Sequence, residues 1–267
     1  MNEVMATNVA AWEQTVRSTI ELARGFTAAD HALPTDCPGW TVKDVLSHLA
    51  SVERMLLGDA LPDHPLSDDL SHVRNDLGRV MEIGVDVRRP VPAEAVLAEL
   101  DEALTQRLAA LPGIDPDEPT MAPNGQMVTY AVFMAFRAFD CYVHEQDIRR
   151  ATGRPGNLDA PAALCSRDIL TRGLPYVVGK KAAARPGQSV TLQVTGPAAF
   201  TAHLEVGDDA RARETAPLAD PTATLTMDWE TYLVLATGRR TPDQVTVKTE
   251  GDPDLATRIL TTMAVTP

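Results

Sequence analysis

The sequence predicts an N-terminal antiparallel four-helix bundle followed by a smaller α+β domain with a largely antiparallel sheet. Apolar residues recur at intervals of three and four through the first part of the chain, as in amphipathic helices. In the last part, apolar and polar residues alternate in short segments, as in strands. Residues 152–156, which read TGRPG, separate the two patterns. We therefore expect one domain at residues 1–155 and another at residues 156–267.

Composition argues against several kinds of partner. The chain has 267 residues, of which 44% are hydrophobic and 4% aromatic, and a formal net charge of −13. This acidity disfavours binding to nucleic acid and to anionic membrane surfaces. No apolar run is as long as a membrane span, and the N-terminus lacks the basic and apolar regions of a signal peptide. We expect a cytoplasmic protein, either a monomer or a homodimer.

Two helices are predicted before residue 57. Apolar periodicity indicates the first over residues 8–24. Thr41 can cap the second, and Asp44 three residues later can complete a capping box. His48 shares the apolar face of this second helix, so it is expected to face the interior. It could be a core histidine with one hydrogen bond or a metal ligand.

Residues 57–92 are rich in Asp, Pro and Gly and predict a mobile connection with a short helix near residues 74–84. His64 and His72 lie in this connection and could be ligands supplied by a lid, although surface histidines are more common. A third helix is expected from Pro92 to Leu111, ended by a Pro-Gly pair, with a loop at residues 115–123.

The fourth helix, expected over residues 128–150, has a polar stripe where an apolar one should be. Asp140 and His144 are four residues apart and share a helical face, close enough to bind one metal ion or each other. The stripe contains Phe133, Arg137, Asp140, His144 and Asp147.

The second half alternates helices and strands. A helix is expected near residues 160–173, and strands at residues 190–194, 200–206 and 223–227. Asp228 can cap a further helix that Gly238 closes, and a last helix starts at Asp252. Between these two helices, Val245 and Val247 suggest another strand.

His48, Asp140 and His144 together form a candidate metal site inside the bundle. Bundle interiors are where side chains from facing helices build metal sites. Three protein ligands leave a position for water or substrate, as in catalytic zinc sites. Imidazole and carboxylate ligands suit zinc, nickel or ferrous iron. Asp44 or Asp147 could orient one of the imidazoles.

The stretches CPGWTVKDVLSHL and FDCYVHEQDIRRATGRPG resemble the mycothiol-dependent maleylpyruvate isomerase family, whose N-terminal domain is similar to the DinB-like metal-binding bundle. The resemblance implies a metal, typically zinc, held by His48, Asp140 and His144. It also implies mycothiol as a low-molecular-weight thiol cosubstrate and a small-molecule substrate. Asp140 departs from the family pattern, because the characterised isomerase activity goes with a glutamate there.

Residues 222–267 resemble the C-terminal domain of the same family, which is similar to sterol-carrier-protein-like folds. In the isomerase, an arginine of this domain completes the active site, and the matching residue here is Arg239 in the segment ATGRR. Arg240 is the alternative if the register shifts by one. Without the resemblance, either arginine would be read as a basic residue favoured by the dipole of a helix end. The resemblance implies a metal- and thiol-dependent isomerase or S-transferase.

Three other functions are open from the sequence. Two histidines and one carboxylate also describe the non-haem iron site of oxygenases. The chain could instead be a non-enzymatic module that binds a small molecule or lipid and keeps a structural metal. A third function is nucleophilic chemistry at Cys141 or Cys37, although the three cysteines show no C-x-x-C spacing that would indicate a disulfide framework or zinc knot.

Overall fold

The structure is a computed structural model that describes residues 1–67 and 69–266. Contacts within the chain group it into two compact units, Met1–Cys165 and a second that begins at Ser166. The domain limits predicted from the sequence, residues 1–155 and 156–267, stay a prediction.

The first unit is helical. The helix predicted over residues 8–24 is present and longer than expected, the helix predicted over residues 128–150 is present but lies two residues further along the chain, and the short helix predicted near residues 74–84 is present. No helix in the described part of the chain is both long enough and apolar enough to cross a bilayer. The helices that lie in or begin in this unit are α1 (Glu3–Arg24), α2 (Ala28–His31), α3 (Val42–Leu56), α4 (Asp76–Asp86), α5 (Ala93–Ala110), α6 (Tyr130–Thr152) and α7 (Pro161–Thr171).

The long helices pack against one another through apolar faces. Helix α1 contacts α5 and α6, while α3 contacts α4, α5 and α6. Trp12, Leu49, Leu100 and Met134, one from each long helix, are fully buried. Such close-packed side chains supply most of the stability of a helical unit, because isolated helices are marginal in water. They also hold α3 and α6 in contact at the candidate site.

Local signals set the ends of these helices. Helix α1 starts earlier than predicted because Asn2 caps it by accepting a hydrogen bond from the N–H of Met5. The capping box predicted for α3 is confirmed, since Thr41 and Asp44 satisfy each other's backbone N–H groups. Helix α6 ends at Gly153, whose φ of 63° is accessible to glycine without strain.

The loop predicted at residues 115–123 is wrong in part. It contains β1 (Pro119–Met121), which pairs with β2 (Met127–Thr129) in an antiparallel hairpin. Methionine side chains of the two strands, Met121 and Met127, lie opposite each other and are exposed. The hairpin has no buried face, so the alternation that marks a strand in a sequence is absent.

The second unit is α+β with a mostly antiparallel sheet, as predicted. The strand order is β5-β4-β3-β6-β7, in which β3 and β6 are parallel and the other neighbours are antiparallel. A π-helical turn, Val177–Lys181, follows α8. The remaining elements are α8 (Leu174–Tyr176), β3 (Ser189–Thr195), β4 (Phe200–Val206), β5 (Ala212–Glu214), β6 (Ala223–Asp228), α9 (Trp229–Ala236), β7 (Lys248–Gly251) and α10 (Pro253–Thr261).

One strand of this sheet is misplaced in the sequence prediction. Val245 and Val247 were expected to define it, but β7 begins at Lys248 after a 3-10 turn at Pro242–Gln244. Side chains of β7 are all exposed, and the strand is held by backbone pairing with β6. An edge strand of this kind needs no apolar face, so the position of the two valines predicted the strand at the wrong residues.

Candidate metal centre

Helices α3 and α6 bring the three predicted ligands together. His48 lies on α3, while Asp140 and His144 lie one turn apart on α6. The distance from His48 Nε2 to Asp140 Oδ2 is 3.4 Å, and that from His144 Nε2 to Asp140 Oδ1 is 3.7 Å. One ligand atom of each residue lies within 4.8 Å of those of the other two. Ligand atoms around a single zinc ion, each about 2.0–2.2 Å from it, have separations of this order.

Burial and unmet hydrogen bonding at His48 fit a metal ligand. His48 is 5% exposed and His144 6%, whereas the side chain of Asp140 is 31% exposed. Neither ring nitrogen of His48 has a hydrogen-bond partner in the described part of the chain. Nε2 is within ion-pair distance of Asp140, but the contact lacks hydrogen-bond geometry. Buried polar atoms are normally paired, so the donor set fits a cation with one side open to solvent.

His144 is oriented by its second ring nitrogen. Its Nδ1 lies 3.2 Å from Asp147 Oδ2, which leaves Nε2 facing Asp140. A carboxylate behind a histidine is the usual way to fix the ring of a metal ligand. Cys37 joins the same group, with its thiol donating to Asp147 Oδ2 at 3.1 Å and lying 3.9 Å from His144 Nδ1.

The two imidazoles differ in their pKa shifts. Burial lowers the pKa of His48, and the charge of Asp140 opposes this only in part. Burial also lowers the pKa of His144, but the hydrogen bonds to Asp147 and Cys37 and the charge of Asp140 outweigh it and raise the pKa to about 10. A metal binds the neutral imidazole, so loading the site would release a proton from His144.

Asp140 is held by a buried arginine. Arg137 Nη1 donates to Asp140 Oδ2 at 2.8 Å, and Arg137 Nη2 donates to Glu53 Oε1 at 2.7 Å. Burial raises the pKa of Asp140, but the charges of Arg137 and His48 outweigh it and hold the pKa well below the usual value. The carboxylate is therefore ionised across the physiological range, as a metal ligand must be.

Trp40 covers both imidazoles. Its ring centroid lies 5.0 Å from that of His48 and 6.0 Å from that of His144. The indole N–H donates to Glu82 Oε2 at 2.8 Å, and His72 Nε2 lies 2.9 Å from the same oxygen. These contacts fix the indole against the two imidazoles.

The histidines of the long connection bind carboxylates of α4. His72 contacts Glu82, and His64 Nε2 lies 2.7 Å from Asp86 Oδ2. Neither histidine belongs to a group of residues in the described part of the chain that could share a metal. Asp44 is likewise engaged elsewhere, in the capping box and 3.3 Å from Arg89. Of the two predicted orienting residues, Asp147 therefore contacts an imidazole of the site.

The cysteines show unequal potential for chemistry. Cys141 is fully buried, and burial raises the pKa of its thiol well above the usual value, so it is a poor nucleophile. Cys37 is partly exposed and, with His144 and Asp147, forms a second group that could hold a metal through Nδ1 instead of Nε2. This group and the group of His48, Asp140 and His144 share His144, but a metal in this group would have a sulfur ligand and a metal in the other would not.

Arg239 lies in the second unit, just after α9. Its backbone N–H donates to the carbonyl of Val234 at 2.8 Å, and Nη1 donates to the carbonyl of Thr237 at 3.0 Å. The N–H of Arg240 donates to the same Val234 carbonyl at 3.2 Å. The catalytic role expected for Arg239, with Arg240 as alternative, stays a prediction.

Comparison with protein families accounts for both units. The family model described as the mycothiol maleylpyruvate isomerase N-terminal domain matches residues 12–149, and the model of the C-terminal domain of the same family matches residues 165–258. The chain belongs to the mycothiol maleylpyruvate isomerase family. The resemblance noted in its sequence motifs is thereby confirmed, and membership associates the chain with thiol-dependent isomerases.

Solved structures of this family share the fold. The chain is similar to the crystal structure of a mycothiol-dependent maleylpyruvate isomerase, with a TM-score of 0.55 at 11% identity, covering 94% of this chain and 96% of that one. A histidine-to-alanine mutant of the isomerase matches with a TM-score of 0.56 at 12% identity and the same coverage. No curated protein matches the chain in sequence.

Glu53 is the site residue that sequence reasoning missed. It lies four residues after Leu49 and three before Leu56, on the apolar face of α3, and it is fully buried. A charged residue at an apolar position is the signal that could have identified it, because buried charges are normally paired. Arg137, which was noted in the polar stripe, is the partner on α6.

Proposed function

We propose that the protein is a thiol-dependent isomerase or S-transferase that uses mycothiol and holds a divalent metal through His48, Asp140 and His144. Two observations support this proposal. Ligand atoms of the three side chains lie within 4.8 Å of one another, and the ring nitrogens of the buried His48 lack hydrogen-bond partners in the described residues. Membership of the mycothiol maleylpyruvate isomerase family supports the thiol and the small-molecule substrate. Zinc suits this donor set best, while nickel and ferrous iron are alternatives.

The residues around the site have separate tasks in this proposal. When bound, the metal would supply a cation that lowers the pKa of the mycothiol thiol, so that a thiolate is available at neutral pH. Asp147 holds His144 with Nε2 toward the ligands, and Trp40 packs against the two imidazoles. Asp140, the most exposed of the three ligands, marks the side from which a thiol can enter.

The chemistry of the thiolate follows from its nucleophilicity. In an isomerase, the thiolate adds to one carbon of a conjugated double bond, rotation occurs about the resulting single bond, and elimination restores the thiolate and the other geometric isomer. In an S-transferase, the new carbon–sulfur bond is kept, and the carbanion that forms on the neighbouring carbon as the double bond breaks takes up a proton from water. Arg239 would bind a carboxylate of the substrate as a bidentate fork, which a lysine could not reproduce.

A charge-transfer titration tests the thiol half of the proposal. The protein is loaded with Co²⁺, and mycothiol is added while the near-ultraviolet absorption is followed. A thiolate bound to Co²⁺ gives an intense sulfur-to-metal band, which we expect in the wild type and not in His48→Ala or in a protein without metal. A matched control uses the disulfide form of mycothiol, which has no thiolate to offer. Absence of the band in the loaded wild type would contradict thiol activation at this metal.

Activity distinguishes isomerase from transferase. A cis-configured unsaturated diacid is incubated with loaded protein and catalytic amounts of mycothiol, and its conversion to the trans isomer is followed. Isomerase activity regenerates the thiol, so turnover exceeds the amount of mycothiol added. Transferase activity consumes the thiol one for one, and a stable adduct appears by mass spectrometry.

A further inference from the structure

Asp140 offers its two oxygens to different partners. Oδ2 accepts the hydrogen bond of Arg137 Nη1 at 2.8 Å and lies 3.4 Å from His48 Nε2, while Oδ1 lies 3.7 Å from His144 Nε2. With Oδ2 committed to the guanidinium, Oδ1 is the oxygen with free lone pairs on the side of His144. The side chain is also short and partly exposed, so its orientation depends on what holds it.

Arg137 is itself held by a buried carboxylate. Its Nη2 donates to Glu53 Oε1 at 2.7 Å, and Glu53 also accepts from the indole of Trp12 at 2.9 Å and from Arg107 Nε at 3.1 Å. Glu53 is fully buried and Arg137 is 4% exposed. Both oxygens of Glu53 thus accept from buried side chains, and Arg137 is restrained through Nη2, although its Nε has no hydrogen-bond partner among the described residues.

The cluster is close to electrically neutral. Arg107 and Arg137 balance Glu53 and Asp140, so the carboxylate brings little net charge to a metal. A cluster built only to attract a cation would leave Asp140 uncompensated, because an opposing guanidinium weakens the attraction. The arrangement therefore suits a role in orienting Asp140 better than a role in attracting a cation.

We infer that Arg137, anchored by Glu53, is a positioning residue that fixes Asp140 so that it binds the metal through one oxygen, Oδ1. This inference rests on the proposed function, since it concerns the metal held by His48, Asp140 and His144. The inference also accounts for an aspartate at the position where the characterised isomerase activity goes with a glutamate, because Arg137 restrains the shorter carboxylate. Without Arg137, Asp140 is free to rotate or to bind through both oxygens.

If Arg137 is removed, a positioning role and a purely electrostatic role predict opposite changes in the metal affinity of the site. Loss of a neighbouring positive charge alone strengthens the binding of a cation, because one repulsive term disappears. Loss of an orienting partner weakens metal binding, typically by about 10–100-fold. The sign of the change in affinity therefore separates the two roles.

The test compares Arg137→Gln, Arg137→Lys and Arg88→Gln as metal-loaded proteins. Arg88 is the control, because its side chain is 13% exposed and it donates to both oxygens of Glu99, at 2.9 and 2.6 Å, and not to Asp140 or Glu53 among the described residues. Affinity for Zn²⁺ is measured by chelator competition, and the visible spectrum of bound Co²⁺ reports the coordination number. Circular dichroism checks that each variant is folded. If Arg137→Gln does not fold, the affinity of Arg137→Lys, which keeps the charge, provides the test.

We expect both Arg137 variants to lose about tenfold or more in Zn²⁺ affinity, while Arg88→Gln stays close to wild type. We also expect the visible Co²⁺ bands of the Arg137 variants to weaken, since binding through both oxygens raises the coordination number above four. Tighter Zn²⁺ binding by Arg137→Gln, or equal affinities and spectra in all three variants, overturns the inference while leaving the proposed function intact. A wild type that binds no metal overturns both.

Discussion

The Nδ1 atom of His144 lies 3.2 Å from Oδ2 of Asp147, one turn further along α6, and both side chains are buried. This contact fixes the ring so that Nε2 faces Asp140 and His48. Asp147, the second carboxylate of the polar stripe on α6, thereby orients the candidate ligand His144 and increases its basicity.

Asp147→Asn is expected to weaken Zn²⁺ binding by about 10–100-fold, because the amide keeps the size of the carboxylate but removes its charge. Chelator competition measures the change. Asp101→Asn, which alters an exposed carboxylate paired with Arg24, serves as control and should leave the affinity unchanged. Equal affinities for Asp147→Asn and wild type would show that the contact does not support the metal.

His48→Gln is expected to abolish tight metal binding, whereas His31→Gln is expected to leave it intact. The two histidines are closely matched, since both are nine-tenths buried and each has an Nδ1 without a hydrogen-bond partner in the described part of the chain. Only His48 lies beside Asp140 and His144. Metal content after purification without chelators measures the difference, and retention of metal by His48→Gln would contradict its role as a ligand.

The fold could be predicted from the sequence wherever one face of an element is buried. The capping box of Thr41, the periodic apolar face of α3 and the alternating strands β3, β4 and β6 all follow from local patterns. The hairpin of β1 and β2 and the edge strand β7 could not, because exposed side chains leave no periodic signal.

That His48, Asp140 and His144 lie together could be predicted from the sequence, whereas the side chains that support them could not; their role as metal ligands stays a prediction. Asp140 and His144 are local in sequence, and His48 was marked by a polar side chain on an apolar face. The hydrogen bonds around these side chains join distant segments: 84 residues separate Glu53 from Arg137, and 110 separate Cys37 from Asp147. Such pairs depend on packing between helices, which a single sequence does not encode in any local pattern.

Cys37→Ser is expected to leave metal content unchanged and to remove no ligand. In the proposed site, the thiol of Cys37 donates to Asp147 and does not bind the metal. X-ray absorption at the metal edge measures this directly, because sulfur and nitrogen ligands give different bond lengths, about 2.3 Å and 2.0–2.1 Å for zinc. A protein sulfur ligand that disappears in Cys37→Ser would instead identify Cys37, His144 and Asp147 as the metal site.

Glu53→Gln is expected to lower the free energy of unfolding by about 3–5 kcal/mol, because two buried arginines would lose their charged partner. Urea denaturation of the metal-free protein measures this loss. Glu13→Gln is the control, since Glu13 pairs with Arg17 at the surface and should change stability by less than about 1 kcal/mol. A similar small change for both variants would contradict the structural weight assigned to Glu53.

The central claim is that His48, Asp140 and His144 hold a divalent metal and leave one position open. Metal analysis and edge spectroscopy of the wild-type protein, purified without chelators, test it most directly. We predict about one equivalent of metal, with zinc the first expectation, bound by three nitrogen or oxygen ligands of the protein and one exchangeable ligand. Less than about a tenth of an equivalent of any divalent metal, or four protein ligands, would contradict the claim.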